Sequence, residues 1–232
     1  MTIMSDTLQK EQWKAKLPPR QVEIDLIYQQ MQDTINIFDK AGINYHLVAG
    51  SALGLARNGG LIPWDDDVDF GIHVSDKDKL WALRNAFNAK GYGIVWADIG
   101  FKTGTGDLIE DTLQNVEGRQ TVVGGQTPFT GVNQDIFFFE EQGEQDGVPV
   151  LRYSSARALN TWPKEVIPVS GWYSPVVASF GGYTVKAMPA DNTDWYLRTS
   201  YGAQWKTHDG QGNEIKTLTC ALHSSHMQHS LP

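Results

Sequence analysis

Between residues 21 and 41 the apolar side chains of Ile24, Ile27, Met31, Ile35 and Phe38 recur every three or four positions. They share one stripe of a helix over Gln21–Ala41, and Gly42 supplies its stop. That stripe predicts scaffold, not a site. Tyr45 to Ala49 is apolar enough for a buried strand, and Val68, Phe70 and Ile72 alternate with Asp67, Asp69 and Gly71 as strand residues do. Further on, the pattern predicts a second helix over Asp76–Lys90 ending at Gly91, and strands over Tyr92–Ala97, Thr121–Gly124, Val132–Phe139 and Val148–Tyr153. A last helix is expected over Asp191–Tyr201. The glycines and threonines of GFKTGTGD, which begins at Gly100, mark a loop. Residues 155–182 are rich in Trp, Tyr and Pro but follow no period, and no element is assigned to them.

Interleaved helices and strands imply an α/β protein with a mixed sheet flanked by helices. The 232 residues, 41% of them hydrophobic, suffice to bury one full core, and no repeat or linker divides them. The expected organisation is a polar lead over residues 1–20, one catalytic domain over 21–206 and a polar tail over 207–232. Within the lead, Ser5 to Lys16 reads as a polar helix ending at Pro18 and Pro19.

A net charge of −8 without a Lys or Arg stripe argues against a nucleic-acid partner. One cysteine, Cys220, excludes an intrachain disulfide framework and a multi-cysteine zinc site. The N-terminal residues lack the apolar core of a signal peptide, and no run reaches the length of a membrane helix. No transmembrane segment is therefore expected, and the expected location is cytoplasmic.

The stretch Ala49 to Ile72, AGSALGLARNGGLIPWDDDVDFGI, carries the chemistry. Its first half reads as strand, turn and helix: Gly50 permits a tight turn and Ser51 caps a short helix over Ala52–Arg57. Free N–H groups at such a helix start attract anions. In the second half, a strand would turn Asp67 and Asp69 to one face, about 7 Å apart by the strand rise. Phosphate oxygens beside those two carboxylates would be repelled, and a bound Mg²⁺ or Mn²⁺ reverses the sign of that interaction. Such hard cations take oxygen-rich shells, so a third acid is expected. Asp135, ahead of the apolar run Ile136 to Phe139, is the candidate, because a charge so placed is costly to bury unless paired or liganded.

The residues GSALGLARNGGLIPWDDDVD resemble the signature of the LicD and fukutin family of phosphotransferases, which have a nucleotidyltransferase fold. QDIFFFE is similar to that family's later acidic strand, and MPADNTDWYLRTSYGAQW to its closing helix, so the resemblance runs from about Ile24 to Trp205 in order. It implies metal-dependent transfer of a phosphorylated small alcohol, such as phosphocholine or ribitol phosphate. The donor would be CDP-activated, the acceptor a hydroxyl of a glycan or glycolipid, and CMP the product released. Carried onto this chain, the metal-binding and catalytic acids are Asp67, Asp69 and Asp135, the phosphate turn is Gly50 and Ser51, and the basic residue before the acids is Arg57. A His often follows that Arg in the family, whereas Asn58 stands here.

Rival readings of the acid cluster fare unequally. An EF-hand starting at Asp65 would place Phe70 where glycine is needed, and a DDxxD prenyl-diphosphate site belongs to all-helical bundles. A metal-dependent glycosyltransferase or nucleotidyltransferase remains an alternative, as does an inactive module that binds a glycan or nucleotide. Lys102 reads either as a donor contact or as a solvated loop lysine. Trp64 reads as core packing or as a stacking platform, and the same choice holds for Tyr201 and Trp205. Asp65 and Asp66 either orient the metal acids or end a turn. His46 reads as structural, and His223, His226 and His229 as residues of a polar tail.

Overall fold

The helix expected over Gln21–Ala41 forms with those bounds (α1). Ile24, Ile27, Met31, Ile35 and Phe38 are buried, and Gly42 closes the helix in the left-handed conformation, with φ 64°. The computed structural model describes residues 19–208 and 221–222. The lead over Ser5 to Lys16, Cys220 and the histidines at 223, 226 and 229 lie outside the described residues.

After α1 come β1 (Tyr45–Leu47), α2 (Ala49–Asn58), β2 (Asp69–His73), two short helices α3 (Lys77–Ala82) and α4 (Arg84–Asn88), β3 (Gly93–Ala97) and β4 (Gly100–Gly104). They are followed by β5 (Leu113–Val116), β6 (Arg119–Val122), β7 (Asn133–Gln145), β8 (Val148–Tyr153), α5 (Ala156–Thr161), β9 (Ile167–Pro168) and α6 (Val169–Trp172). The hairpin β10 (Val176–Phe180) and β11 (Tyr183–Ala187) precedes α7 (Ala190–Tyr201). Among the described residues nine strands form one sheet. Its order is β1-β2-β7-β4-β3-β6-β5, and β8 and β9 extend from β7, while β10 and β11 pair apart. The pairs β2–β7 and β3–β6 are parallel and the rest antiparallel, so the sheet is mixed.

Both faces of this sheet are covered. On one, α1 packs with Phe70, Phe101, Ile136 and Phe138. On the other, α2, α5 and α7 pack with Phe137, Phe139, Leu151 and Tyr153. That two-sided burial explains the unbroken apolar run after Asp135, since successive residues of β7 serve opposite cores.

Two expectations need correction. The helix over Asp76–Lys90 is divided at Leu83, where Leu83 N–H bonds the Leu80 carbonyl and Ala86 N–H bonds the Leu83 carbonyl, three-residue closures that interrupt the α pattern. The segment from Gly100 is not a loop but β4, in the middle of the sheet. Its glycines mark close approach of chains: a Cβ on Gly100 would lie 2.1 Å from the Ile136 carbonyl oxygen, and one on Gly104 2.6 Å from the Phe129 ring. Residues 155–182 follow no period because they spread over short elements whose aromatics lie against the sheet. Trp162 packs edge-on to Phe137, and Trp172 lies by Phe139.

Candidate metal and phosphate site

Parallel pairing of β2 with β7 sets Asp69 opposite Asp135, and the antiparallel β4 sets Lys102 opposite Asp135 on the other side. Opposed residues on paired strands point to the same face, so the three polar side chains converge. Asp67 was expected inside the strand, which instead starts at Asp69; its carboxylate nevertheless reaches the group. Carboxylate oxygens of Asp67, Asp69 and Asp135 lie within 4.8 Å of one another. A second group, Asp65, Asp66 and Asp67, is as tight, and Asp67 belongs to both.

The helix beside these acids starts earlier than its sequence suggests. α2 begins at Ala49, directly after β1, and Ser51 sits inside its first turn instead of capping it. The Ser51 hydroxyl accepts a hydrogen bond of 2.9 Å from the Asp69 N–H, tying the start of α2 to β2. Gly50 faces the carboxylates: a Cβ there would sit 3.0 Å from Asp65 Oδ2 and 3.7 Å from Asp69 Oδ2. Any side chain at position 50 would therefore crowd the space between helix start and acids. Among the described residues the N–H groups of Gly50 and Ser51 have no hydrogen-bond partner, as the first turn of a helix leaves them.

Lys102 is the residue whose setting the sequence concealed. It is buried, not solvated, and its ammonium donates to both oxygens of Asp135, at 2.5 and 2.8 Å. One cation does not balance the cluster. Burial, then the charges of Asp65, Asp135 and Asp66, push the Asp67 carboxyl well above its ordinary range. Burial, then Asp67, Asp135 and Asp65, do the same to Asp69. Asp135 is raised by burial, with Lys102 opposing. Oxygen donors packed this closely, with burial and neighbouring acids resisting their ionisation, are the donor set of a hard divalent cation. Asp67, Asp69 and Asp135 fit such an ion.

Arg57 lies in the last turn of α2, about 10 Å along the axis from Gly50 by the helical rise. Helical side chains lean toward the N-terminus. Its Nε donates to Asn58 Oδ1 at 3.0 Å, and its charge is felt by the Tyr201 hydroxyl, which also senses Glu165, Asp69 and Asp65. Tyr201 ends α7 and packs partly buried against the second core, in which Trp205 is buried and against which Trp64 also packs. His46 is buried with Nε2 2.8 Å from the Trp172 carbonyl oxygen, and burial lowers its pKa to about 4, which leaves it neutral and structural.

Sequence reasoning passed over one acid near the helix start. Glu165 is buried beside Ala49 and Tyr196, in the segment without period, where no local signal singles it out.

A mixed sheet flanked by helices, with acids from neighbouring strands gathered at a helix start, defines a nucleotidyltransferase-like α/β protein. Residues 42–187 match the family model described as LicD/FKTN/FKRP, nucleotidyltransferase domain, and the chain belongs to this family. The ribitol 5-phosphate transferase FKRP of Homo sapiens is 36% identical over 88 residues, which are 37% of this chain and 17% of that protein. An uncharacterized protein of Rickettsia prowazekii (strain Madrid E) is 38% identical over 70 residues, 30% of this chain and 26% of its own length. The matched region thus spans less than a fifth of FKRP and about a quarter of the rickettsial protein. The crystal structure of ANT(2'')-Ia in complex with adenylyl-2''-tobramycin aligns at a TM-score of 0.38 and 14% identity, over 71% of this chain and 70% of that one. Among the described residues no helix is long and apolar enough to cross a membrane.

Proposed function

We propose that this chain transfers a phosphorylated small alcohol, phosphocholine or a polyol phosphate such as ribitol phosphate, from a CDP-activated donor to a hydroxyl of a glycan or glycolipid, releasing CMP. The observation that carries the reading is the convergence of Asp67, Asp69 and Asp135 beside the open first turn at Gly50 and Ser51. Family membership supports it.

In this reading Asp67, Asp69 and Asp135 hold Mg²⁺ or Mn²⁺. When bound, the ion offsets the charge of the donor diphosphate and of the transition state. The rest falls to the chain itself. The N–H groups of Gly50 and Ser51 donate to phosphate oxygens, and the lack of a side chain at Gly50 lets the donor approach. The forked guanidinium of Arg57 takes a further phosphate oxygen. Lys102 holds Asp135 in one orientation by its two hydrogen bonds, and in this reading Asp135 also accepts the proton of the attacking hydroxyl. The bond broken lies between the two donor phosphates, so the alcohol reaches the acceptor as a phosphodiester.

Incubating the protein with CDP-alcohols and nucleotide sugars, and reading CMP against UDP or GDP, tests the donor class. A donor labelled in its distal phosphate then tests the bond. Label in the acceptor with CMP released is expected. Label in free alcohol phosphate, with CMP attached to the acceptor, would make the chain a nucleotidyltransferase instead.

A further inference from the structure

Ala49, the first residue of α2, holds a left-handed backbone with φ 48°. A residue with a Cβ pays for that conformation, and it persists only where its surroundings enforce it. Here the enforcement is visible. The Ala49 N–H donates to the Tyr196 hydroxyl at 2.8 Å and to Glu165 Oε1 at 3.1 Å, while the Tyr196 hydroxyl itself donates to Glu165 Oε1. Both partners come from more than a hundred residues downstream, Glu165 from the segment before β9 and Tyr196 from α7. Tyr196 is fully buried, and Glu165 is 6% exposed. Burying a carboxyl is costly unless something is gained by it.

The bonds made at Ala49 decide what the next two residues present. Turning the chain sharply at Ala49 ends β1 and starts α2 at once, so that Gly50 faces the carboxylates of Asp65 and Asp69 and Ser51 reaches the Asp69 N–H. Of the first N–H groups of the helix, that of Ala49 is already satisfied by the protein, and those of Gly50 and Ser51 are left to a ligand.

We infer that Glu165 and Tyr196 are the positioning pair of the phosphate turn: by clamping the Ala49 N–H they fix its backbone and aim the Gly50 and Ser51 amides at the donor phosphates. The inference rests on the proposed reading of that turn as the donor site. Neither residue touches the donor, so both act through Ala49. Burial raises the Glu165 pKa to about 7, so near pH 6 the side chain mostly carries its proton and a glutamine of the same shape reproduces it.

Three variants of the full chain test this: Glu165→Ala, Tyr196→Phe and Glu165→Gln, each at pH 6. The first readout needs no substrate. Amide hydrogen exchange at Ala49, and at Ala52 whose N–H bonds the Val48 carbonyl, should quicken at least tenfold in Glu165→Ala and Tyr196→Phe, with exchange in β2 and β7 unchanged, and should stay near wild type in Glu165→Gln. Exchange that does not change at Ala49 and Ala52, or that quickens throughout the sheet, overturns the positioning role. The second readout is calorimetric binding of CDP in the presence of Mg²⁺, with Mn²⁺ binding measured separately without nucleotide. CDP affinity should fall at least fivefold in the first two variants while Mn²⁺ affinity holds. With a turned-over donor the loss should fall on KM and not on kcat. Equal CDP affinity in all the folded proteins overturns the inference. Failure of the wild type to bind CDP would instead sink the donor reading, and the exchange comparison would then decide the positioning role alone. If Glu165→Ala does not fold, Tyr196→Phe and Glu165→Gln carry the same comparison.

Discussion

Two buried aspartates in this protein each hold a lysine, and they stand in opposite electrostatic conditions. Asp33, on α1, accepts from Lys90 at 2.8 Å, from the Tyr92 hydroxyl at 2.8 Å and from Gln29 at 3.1 Å. Burial works against its ionisation, but the bonds from Lys90, Tyr92 and Gln29 prevail and its carboxyl lies below the ordinary range. Asp135 accepts from Lys102 as closely, yet burial outweighs that lysine, the Asp66 charge adds to it, and its carboxyl lies above that range. The lysine is common to both places. What separates the two acids is whether the surrounding charges and donors close the balance or leave negative charge in excess, and the second condition is the one that marks a candidate site.

The largest expected effect breaks the second site. Asp67→Asn, Asp69→Asn and Asp135→Asn should each lower turnover by roughly 10²-fold or more, since each removes charge and not volume from the acids proposed to hold the cation. Metal-free Asp67→Asn should also melt higher than the metal-free parent, because a repelled carboxylate is gone. Steady-state kinetics and a thermal melt in chelator read the two effects, and near-normal turnover in any of the three would remove that residue from the site.

Breaking the first site should do the reverse. Asp33→Asn is expected to cost about 1–3 kcal/mol of stability, from a buried acceptor of charged and neutral donors, and to leave turnover within about twofold of the parent. Urea unfolding measures the loss. A variant with unchanged stability would mean that the Lys90 and Tyr92 bonds contribute nothing net.

The two sites also predict opposite pH dependence. Asp33 has a folded-state pKa below its unfolded value, so its contribution is present above about pH 4 and is lost as the pH falls through the folded value. Asp67 and Asp69 have folded values raised above 3.8, so the folded protein binds more protons there than the unfolded chain. Their ionisation therefore costs stability as the pH climbs from about 4 through their folded values. Added Mg²⁺ or Mn²⁺ should cancel that loss, with a rise in melting temperature that grows with pH. A metal effect independent of pH would show that the ion binds elsewhere.

The smallest effect belongs to Ser51. Ser51→Ala should cost about 1 kcal/mol, through the lost hydrogen bond from the Asp69 N–H and not through a helix cap, and should weaken metal binding because Asp69 loses its tether. Isothermal titration with Mn²⁺ checks this; an unchanged affinity would confine Ser51 to stability.

Much of this site was legible in the chain because its parts are local. The stripe of α1, the alternation around Asp69 and the acid before the apolar run of β7 are patterns within a few residues of each other, and they led to Asp67, Asp69 and Asp135. The structure brings those three together. Lys102 was misplaced because glycines that admit a neighbouring strand look, in sequence, like glycines that turn a loop. The start of α2 was set three residues late because an alanine in a left-handed conformation has no sequence signal. Glu165 was invisible for a third reason: its partner is an N–H on a residue 116 positions earlier, and only the tertiary fold creates that contact.

The parallel pairing of β2 with β7 also has a consequence for how the protein is made. Asp69 and Asp135 meet across 66 residues of chain, with β3, β4, β5 and β6 in between. Contacts of such long range form slowly and late, after local helices and hairpins. Until that step the growing chain holds Asp135 apart from Asp67 and Asp69, and the three-acid group is incomplete. A divalent cation would then engage only after the rate-limiting barrier, and it should slow unfolding while leaving the folding rate almost unchanged. Stopped-flow refolding and unfolding with and without Mn²⁺ would show the asymmetry, and an equal acceleration of folding would mean that the acids gather early.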